Sequence, residues 1–150
     1  MKSQLSPPMR VTYYLYLLTV PILLVYGFMY LFKLQFMPYH SSAIGLSWEQ
    51  VPQGFQVVIL ALMRVVGGSF LALAIALLII LNIPFRNGYR WAYYTIPIMG
   101  LLCAGASLYA TLFVKIQTNA NTPWLAAGIP VTIFIIGLII TLKYGKEKSN

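Results

Sequence analysis

Four long apolar stretches limit what this chain can fold into. They cover approximately residues 11–32, 55–81, 91–114 and 124–142. A helix rises about 1.5 Å per residue, so about 20 apolar residues cross a hydrocarbon layer about 30 Å thick. Because a backbone in lipid must satisfy its hydrogen bonds internally, each stretch is predicted to be a transmembrane helix. The sequence predicts an all-α fold, a polytopic membrane protein whose single membrane domain is an antiparallel four-helix bundle.

The composition supports a membrane protein with little catalytic chemistry. Only 8% of the residues are charged, against about a quarter in water-soluble domains. The chain has no Asp, two Glu, one His and one Cys. These counts exclude an internal disulfide, a Cys-x-x-Cys redox pair, a haem held by two histidines of this chain, paired carboxylates, and structural metal sites. No catalytic residue, cofactor or metal is predicted, and a non-enzymatic role is favoured.

The positive charges predict the orientation in the membrane, because cytoplasmic loops carry an excess of Lys and Arg. A cytoplasmic N-terminus leaves only Lys33 and Lys115 outside. The residues placed inside are Lys2, Arg10, Arg86, Arg90, Lys143, Lys146 and Lys148. We predict a multi-pass protein of the inner (plasma) membrane with both termini cytoplasmic. The net charge of +8 is scattered and forms no basic stripe, so it indicates contact with the lipid bilayer rather than with nucleic acid.

The longest connection is the outer loop between the first two stretches. Within it, Ser47 is followed three residues later by Gln50, which matches a helix N-terminal capping box. We therefore predict a short interfacial helix in this outer loop. His40, in the same loop, is interpreted as a solvated side chain.

Arg64 is the one charged residue inside a predicted span, roughly 14 Å from its outer end at 1.5 Å per residue. A central arginine costs about 2.5–3.5 kcal/mol, so it should face the bundle interior or a wet cavity, or extend to the interface. Glu49 is the only carboxylate that can reach it from outside. The other partners are backbone carbonyls, hydroxyls, water or a bound anion.

Small residues follow Arg64 at four-residue spacing along the second span: Gly68, Ala72 and Ala76. Such stripes let transmembrane helices approach closely. The third span carries a comparable face at Gly100, Ala104, Ser107 and Thr111. We therefore predict that the second and third spans pack tightly through these small residues.

Several phenol groups are predicted at a depth close to that of Arg64. Tyr26 and Tyr30 are four residues apart and share a face of the first span, and Tyr109 lies on the third. One interpretation is an outer-leaflet binding site, in which Arg64 anchors an anion or dipole beside these tyrosines and Glu49. The other is that the tyrosines form an aromatic belt, while Arg64 is held by carbonyls and Glu49.

The second span carries the sequence MRVVGG at residues 63–68, followed by FLALA at residues 70–74. With these segments and four spans over nearly its whole length, the chain resembles the DoxX-like group of small bacterial four-helix membrane proteins. The resemblance implies a fold and little chemistry. The link of that group's name to quinol oxidation does not carry over, because no redox residue here matches it.

Two functions stay open. The first is an accessory or assembly subunit that associates with a partner membrane subunit or with copies of itself. The alternative is a binding protein or carrier for a lipophilic or anionic small molecule, a lipid headgroup or a quinone, held in an outer-leaflet pocket around Arg64. A proton-coupled drug transporter is disfavoured, since that class needs a membrane-embedded carboxylate and none is present in the spans.

Overall fold

The computed structural model describes residues 5–145, which form helices joined by short connections and contain no strand. The helices, in chain order, are α1 (Pro7–Phe32), α2 (Pro38–Ile44), a 3-10 turn (Trp48–Gln50), α3 (Gln53–Ile80) continued by a π-helical turn (Leu81–Phe85), α4 (Arg90–Thr118) and α5 (Trp124–Tyr144). The four long helices, α1, α3, α4 and α5, are long and apolar enough to cross a membrane. This confirms the all-α prediction and the multi-pass character of the protein. Lys2, Lys146 and Lys148, which contribute to the predicted orientation, lie outside the described residues.

The surface of the long helices is apolar. Leu102 and Ile116 on α4 are each 72% exposed, and Val65 on α3 is 67% exposed. A water-soluble monomer rarely exposes apolar patches larger than a few hundred Å². In a bilayer the same side chains lie in a solvent as apolar as themselves, so this surface suits lipid contact.

The long helices are arranged in an order that differs from their order along the chain. Helix α1 lies between α3 and α5, α4 packs along α5, and the consecutive helices α3 and α4 contact each other much less. The bundle is therefore held by the pairs α1/α3, α1/α5 and α4/α5. The predicted tight packing of the second span against the third was wrong.

Glycines explain the close approach of α1 to α3. A Cβ atom on Gly67 would lie 2.6 Å from the backbone nitrogen of Leu31, and one on Gly27 would lie 2.7 Å from the Leu71 side chain. A Cβ on the adjacent Gly68 would meet no atom within 4 Å. Successive helical residues point about 100° apart, so Gly67 faces α1 while Gly68 points into open space.

Two further glycines receive aromatic rings from neighbouring helices. Gly100 on α4 lies under the ring of Phe134 on α5, and Gly137 on α5 lies under the ring of Tyr16 on α1. The two rings are themselves in contact, with centroids 5.6 Å apart. Because aromatic side chains bury large areas, this cluster joins α1, α5 and α4 at the centre of the bundle.

Helix α3 is longer than a membrane span requires. With its π-helical turn it has 33 residues, or about 50 Å at 1.5 Å per residue, against a hydrocarbon thickness of about 30 Å. At one end it passes the end of α1 and contacts residues 33–52, which we call the cap. Met63 and Ile59 of α3 pack there against Phe36, Met37 and Val51.

The cap contains α2 and the 3-10 turn. Helix α2 begins with Pro38 in its first turn and ends at Gly45, whose φ of 68° is left-handed, an arrangement typical of helix ends. This helix was not predicted from the sequence. The 3-10 turn lies where a short helix was predicted, and the Ser47 N–H donates to Gln50 Oε1 at 2.8 Å, which is one half of the predicted capping box.

The neighbouring glycines of α3 provide a matched test of this packing. We expect Gly67→Ala to lower the free energy of unfolding by about 1–3 kcal/mol, because the added methyl group overpacks the contact with the α1 backbone. Gly68→Ala should leave stability unchanged or slightly raised, since alanine favours a helix and has open space here. Denaturation of both variants in detergent, followed by circular dichroism, measures the difference. Equal effects of the two substitutions would contradict the α1/α3 contact.

Candidate functional site

Arg64 lies level with the end of α1. Its Nη1 atom donates to the carbonyl oxygen of Lys33 at 2.8 Å and to that of Tyr30 at 3.3 Å. Lys33 is the residue at which α1 leaves the helical conformation. The sequence-based depth was counted from the start of the second span, but the first turns of α3 extend past α1 into the cap. Arg64 therefore lies at the end of α1 rather than at the middle of the bundle.

The position suits a cation with several N–H donors. The last carbonyl groups of a helix have no partner within the helix, and they form the negative end of its dipole. Hydrogen bonds from a charged donor contribute about 1.5–3 kcal/mol. Arg64 thus closes the end of α1 and ties α3 to it. Backbone carbonyls, one of the predicted kinds of partner, hold the guanidinium.

Part of the guanidinium stays available. Both hydrogen bonds come from Nη1, and neither Nε nor Nη2 has a hydrogen-bond partner within residues 5–145. These two atoms are also not among the fully enclosed polar atoms without a partner. They are therefore accessible at the protein surface.

Two of the predicted tyrosines lie close to this point. The hydroxyl of Tyr30 is hydrogen bonded to that of Tyr39 at 3.0 Å, and Tyr26 is half-buried one turn earlier on the same face of α1. Burial, together with the hydrogen bond to Tyr30, raises the pKa of the Tyr39 hydroxyl, so it stays protonated. Tyr39 was not predicted as a site residue, although it follows Pro38 at the start of α2.

The other two predicted site residues are not joined to Arg64. Tyr109 on α4 is 69% exposed and stacks on Phe113 with ring centroids 5.9 Å apart. Glu49 is exposed in the 3-10 turn, and within residues 5–145 it forms no ion pair with Arg64. Its own backbone N–H and the Ser47 hydroxyl lower the pKa of the Glu49 carboxyl, so it is ionised at neutral pH.

A polar cleft of about 250 Å³ opens in the cap. Its lining residues are Lys33, Gln35, Phe36, Pro38, Ser41, Ser47, Trp48 and Glu49. Arg64 is not among them, but it holds the backbone of Lys33 at the cleft edge. A second, apolar groove of about 460 Å³ lies between α4 and α5 and includes Gly128 and Trp124. Of these residues, only Glu49 was predicted as part of a binding site.

His40 is half-buried in the cap rather than solvated as expected. Its ring contacts those of Phe36 and Tyr39, with centroids 6.3 and 4.1 Å away. Burial disfavours the charged imidazolium and lowers the pKa of His40. The fold of the cap therefore favours the neutral form of this histidine.

Comparisons with known proteins identify no relative. The chain matches no protein-family model, no curated protein and no solved structure. The resemblance to DoxX-like proteins therefore stays a prediction from the residues of the second span. Among the residues that the structure describes, no three His, Cys, Asp or Glu side chains lie together in a group that could hold a metal ion.

Removing the guanidinium should loosen the end of α1. We expect Arg64→Leu to lower the free energy of unfolding by about 1.5–3 kcal/mol, because two carbonyls lose a charged donor. Arg64→Lys should recover part of the loss, since an ammonium keeps the charge but lacks the planar fork. Two measurements distinguish the variants: hydrogen exchange of residues 30–37, and thermal denaturation of the whole protein. Wild-type stability and exchange in Arg64→Leu would contradict the capping role.

Acidification should weaken the cap. The pKa of His40 is lower in the folded than in the unfolded chain, so the unfolded cap binds the proton more tightly. Stability is therefore complete above the ordinary histidine pKa of about 6.5 and falls as pH drops below it. Hydrogen exchange of residues 38–50, corrected for intrinsic rates, should be faster at about pH 5.5 than at about pH 7.5. The variant His40→Gln should lose this difference, and a cap better protected at the lower pH would contradict the assignment.

Proposed function

We propose that the protein is a non-enzymatic integral membrane protein that acts as an accessory subunit by binding a transmembrane helix of another membrane protein. The observation that carries this proposal is a set of residues on the side of α3 turned away from α1. This set, which we call the small face, consists of Gly68, Ala72 and Ala76. Arg64, one turn before Gly68, lies at its edge and bonds to the end of α1. Ala72 is exposed, and a Cβ on Gly68 would meet no atom within 4 Å.

The small face resembles the surfaces through which transmembrane helices associate. Small residues at four-residue spacing let two backbones approach closely, and the gain comes from van der Waals packing. Inside the bundle, a neighbouring helix fills the space beside Gly27, Gly67 and Gly100. Gly68 has no such neighbour within the described residues, which supports contact with another chain.

Arg64 adds a polar group to this surface. Its Nε and Nη2 atoms are accessible, and Arg64 lies one turn before Gly68 on α3, so a carbonyl, hydroxyl or carboxylate of a partner helix could bond to them. Hydrogen bonds between transmembrane helices contribute about 0.6–2 kcal/mol. The pair formed with Arg64 would fix the register of the partner along α3.

The alternative, a carrier with its pocket around Arg64, has less support. The Nη1 atom of Arg64 is already hydrogen bonded to the α1 carbonyls, and Arg64 lines neither the polar cleft nor the apolar groove. The sequence offers few groups for chemistry, with two Glu, one His and one Cys in 150 residues. A role based on contact fits this composition better than one based on turnover.

We also propose the inner (plasma) membrane as the location, with the cap outside and both termini in the cytoplasm. The support comes from charge. Arg86 and Arg90 lie at the connection between α3 and α4, opposite the cap, together with Arg10 near the start of α1 and Lys143 near the end of α5. This excess at one end of the bundle follows the positive-inside rule.

The small face can be tested with two glycines that both have open space around them. Gly68→Leu should reduce the amount of a co-purifying membrane subunit by about tenfold or more, because overpacking an interface costs about 1–3 kcal/mol. Gly128→Leu on α5 is the matched control, since a Cβ there also meets no atom within 4 Å. Native mass spectrometry of gently purified samples measures the bound subunit.

The expected result is a second polypeptide in fixed stoichiometry with the wild type and with Gly128→Leu, but not with Gly68→Leu. A wild type that is monomeric, or associated only with copies of itself, would contradict the proposal. Loss of the subunit from both variants would also contradict it, because the small face would then not be the contact.

A further inference from the structure

The polar cleft of the cap is lined by two side chains of opposite charge. These are Lys33 and Glu49. They form no ion pair with each other, and neither side chain takes part in an ion pair within residues 5–145. Both are at the surface, so their desolvation cost is small. A ligand that carries a negative and a positive group could contact both at once.

The cleft is also lined by uncharged hydrogen-bonding groups. The Ser47 hydroxyl lies beside Glu49, and Ser41 and Gln35 also line the cleft. Hydroxyl, amide and carboxylate oxygens accept hydrogen bonds from a primary ammonium, which has three N–H donors, whereas a quaternary ammonium has none to give. The cleft therefore favours a primary ammonium at this position.

The edge of the cleft is suited to a lipid rather than to a free solute. Phe32 and Leu34, on either side of Lys33, are 65% and 78% exposed. Trp48, whose ring contacts Phe36 at a centroid distance of 5.0 Å, lines the same cleft. Exposed apolar side chains beside a tryptophan and a lysine are typical of the level where lipid headgroups lie.

We infer that this cleft binds the headgroup of a phospholipid that carries a phosphate and a primary ammonium, with the phosphate against Lys33 and the ammonium against Glu49. The backbone of Lys33 is held in place by Arg64, so the lysine starts from a fixed position. Such a site would anchor the cap to the lipid surface. It does not depend on the partner proposed for the small face, because the two surfaces share no residue.

Native mass spectrometry of the protein titrated with defined lipids tests this inference. Phosphatidylethanolamine should bind as one retained molecule and more tightly than phosphatidylcholine or phosphatidylglycerol. Lys33→Gln and Glu49→Gln should each weaken its binding by about fivefold, the effect of losing one exposed charge pair. Lys33→Gln keeps the backbone carbonyl that Arg64 binds, so the fold is preserved. Lys115→Gln, at the same end of the bundle but outside the cleft, is the charge-matched control and should bind like the wild type.

Three results would overturn the inference. Equal binding of phosphatidylethanolamine and phosphatidylcholine would show that the ammonium is not recognised. An unchanged affinity in Lys33→Gln, or an equal loss in Lys115→Gln, would show that the cleft is not the site. In a separate arm, O-phosphoethanolamine competes with the lipid. Competition as strong as that of the whole lipid would support recognition of the headgroup but overturn the membrane as its source.

Discussion

The bond between the Arg64 guanidinium and the last carbonyls of α1 is the interaction on which one end of this molecule depends. A chain that leaves a helix near lipid must give its carbonyls new partners, and side chains of the described cap supply few donors for them. Arg64 supplies these hydrogen bonds from α3, a different helix, and so joins the end of α1 and the start of the cap to one point. Arg64, whose charge is costly to place in a membrane, is therefore the residue that lets the chain turn away from α1.

The four long helices could be predicted closely, because lipid leaves the backbone almost no other choice. Which of these helices pack against each other could not be predicted. Gly67 and Gly68 are adjacent in the sequence, and nothing in the stripe of small residues indicates which of them faces α1. The stripe through Gly68 was predicted to pack against the third span, but a Cβ on Gly68 meets no atom within 4 Å and Ala72 is exposed. Hydropathy identifies the helices, whereas the choice between two adjacent glycines depends on the shape of the neighbouring helix.

The candidate site shows the same division. The sequence predicted Arg64 and the Tyr30 phenol as neighbours in a binding site. In the structure Arg64 bonds to the backbone carbonyl of Tyr30, whereas the Tyr30 hydroxyl bonds to that of Tyr39. The sequence did not show that α3 extends beyond the end of α1. The length of an apolar stretch gives the length of a helix but not its position relative to the neighbouring helix. Tyr109 could not be placed, because each helical residue turns about 100° from the last and the exposed direction of α4 depends on where α5 lies. Helix α2 had a signal, Pro38 followed by Gly45, that a search for long apolar stretches passes over.

The order of helices in the bundle has a consequence for synthesis. A chain enters the membrane from its N-terminus, so α3 finds its main neighbour, α1, already present. Helix α4 has no such neighbour when it enters, because its main contact, α5, is made after it. The ring of Phe134, which covers Gly100, arrives only with the last helix. The contact of α1 with α3 can form while the chain is being made, whereas the contacts of α5 with α1 and α4 form last.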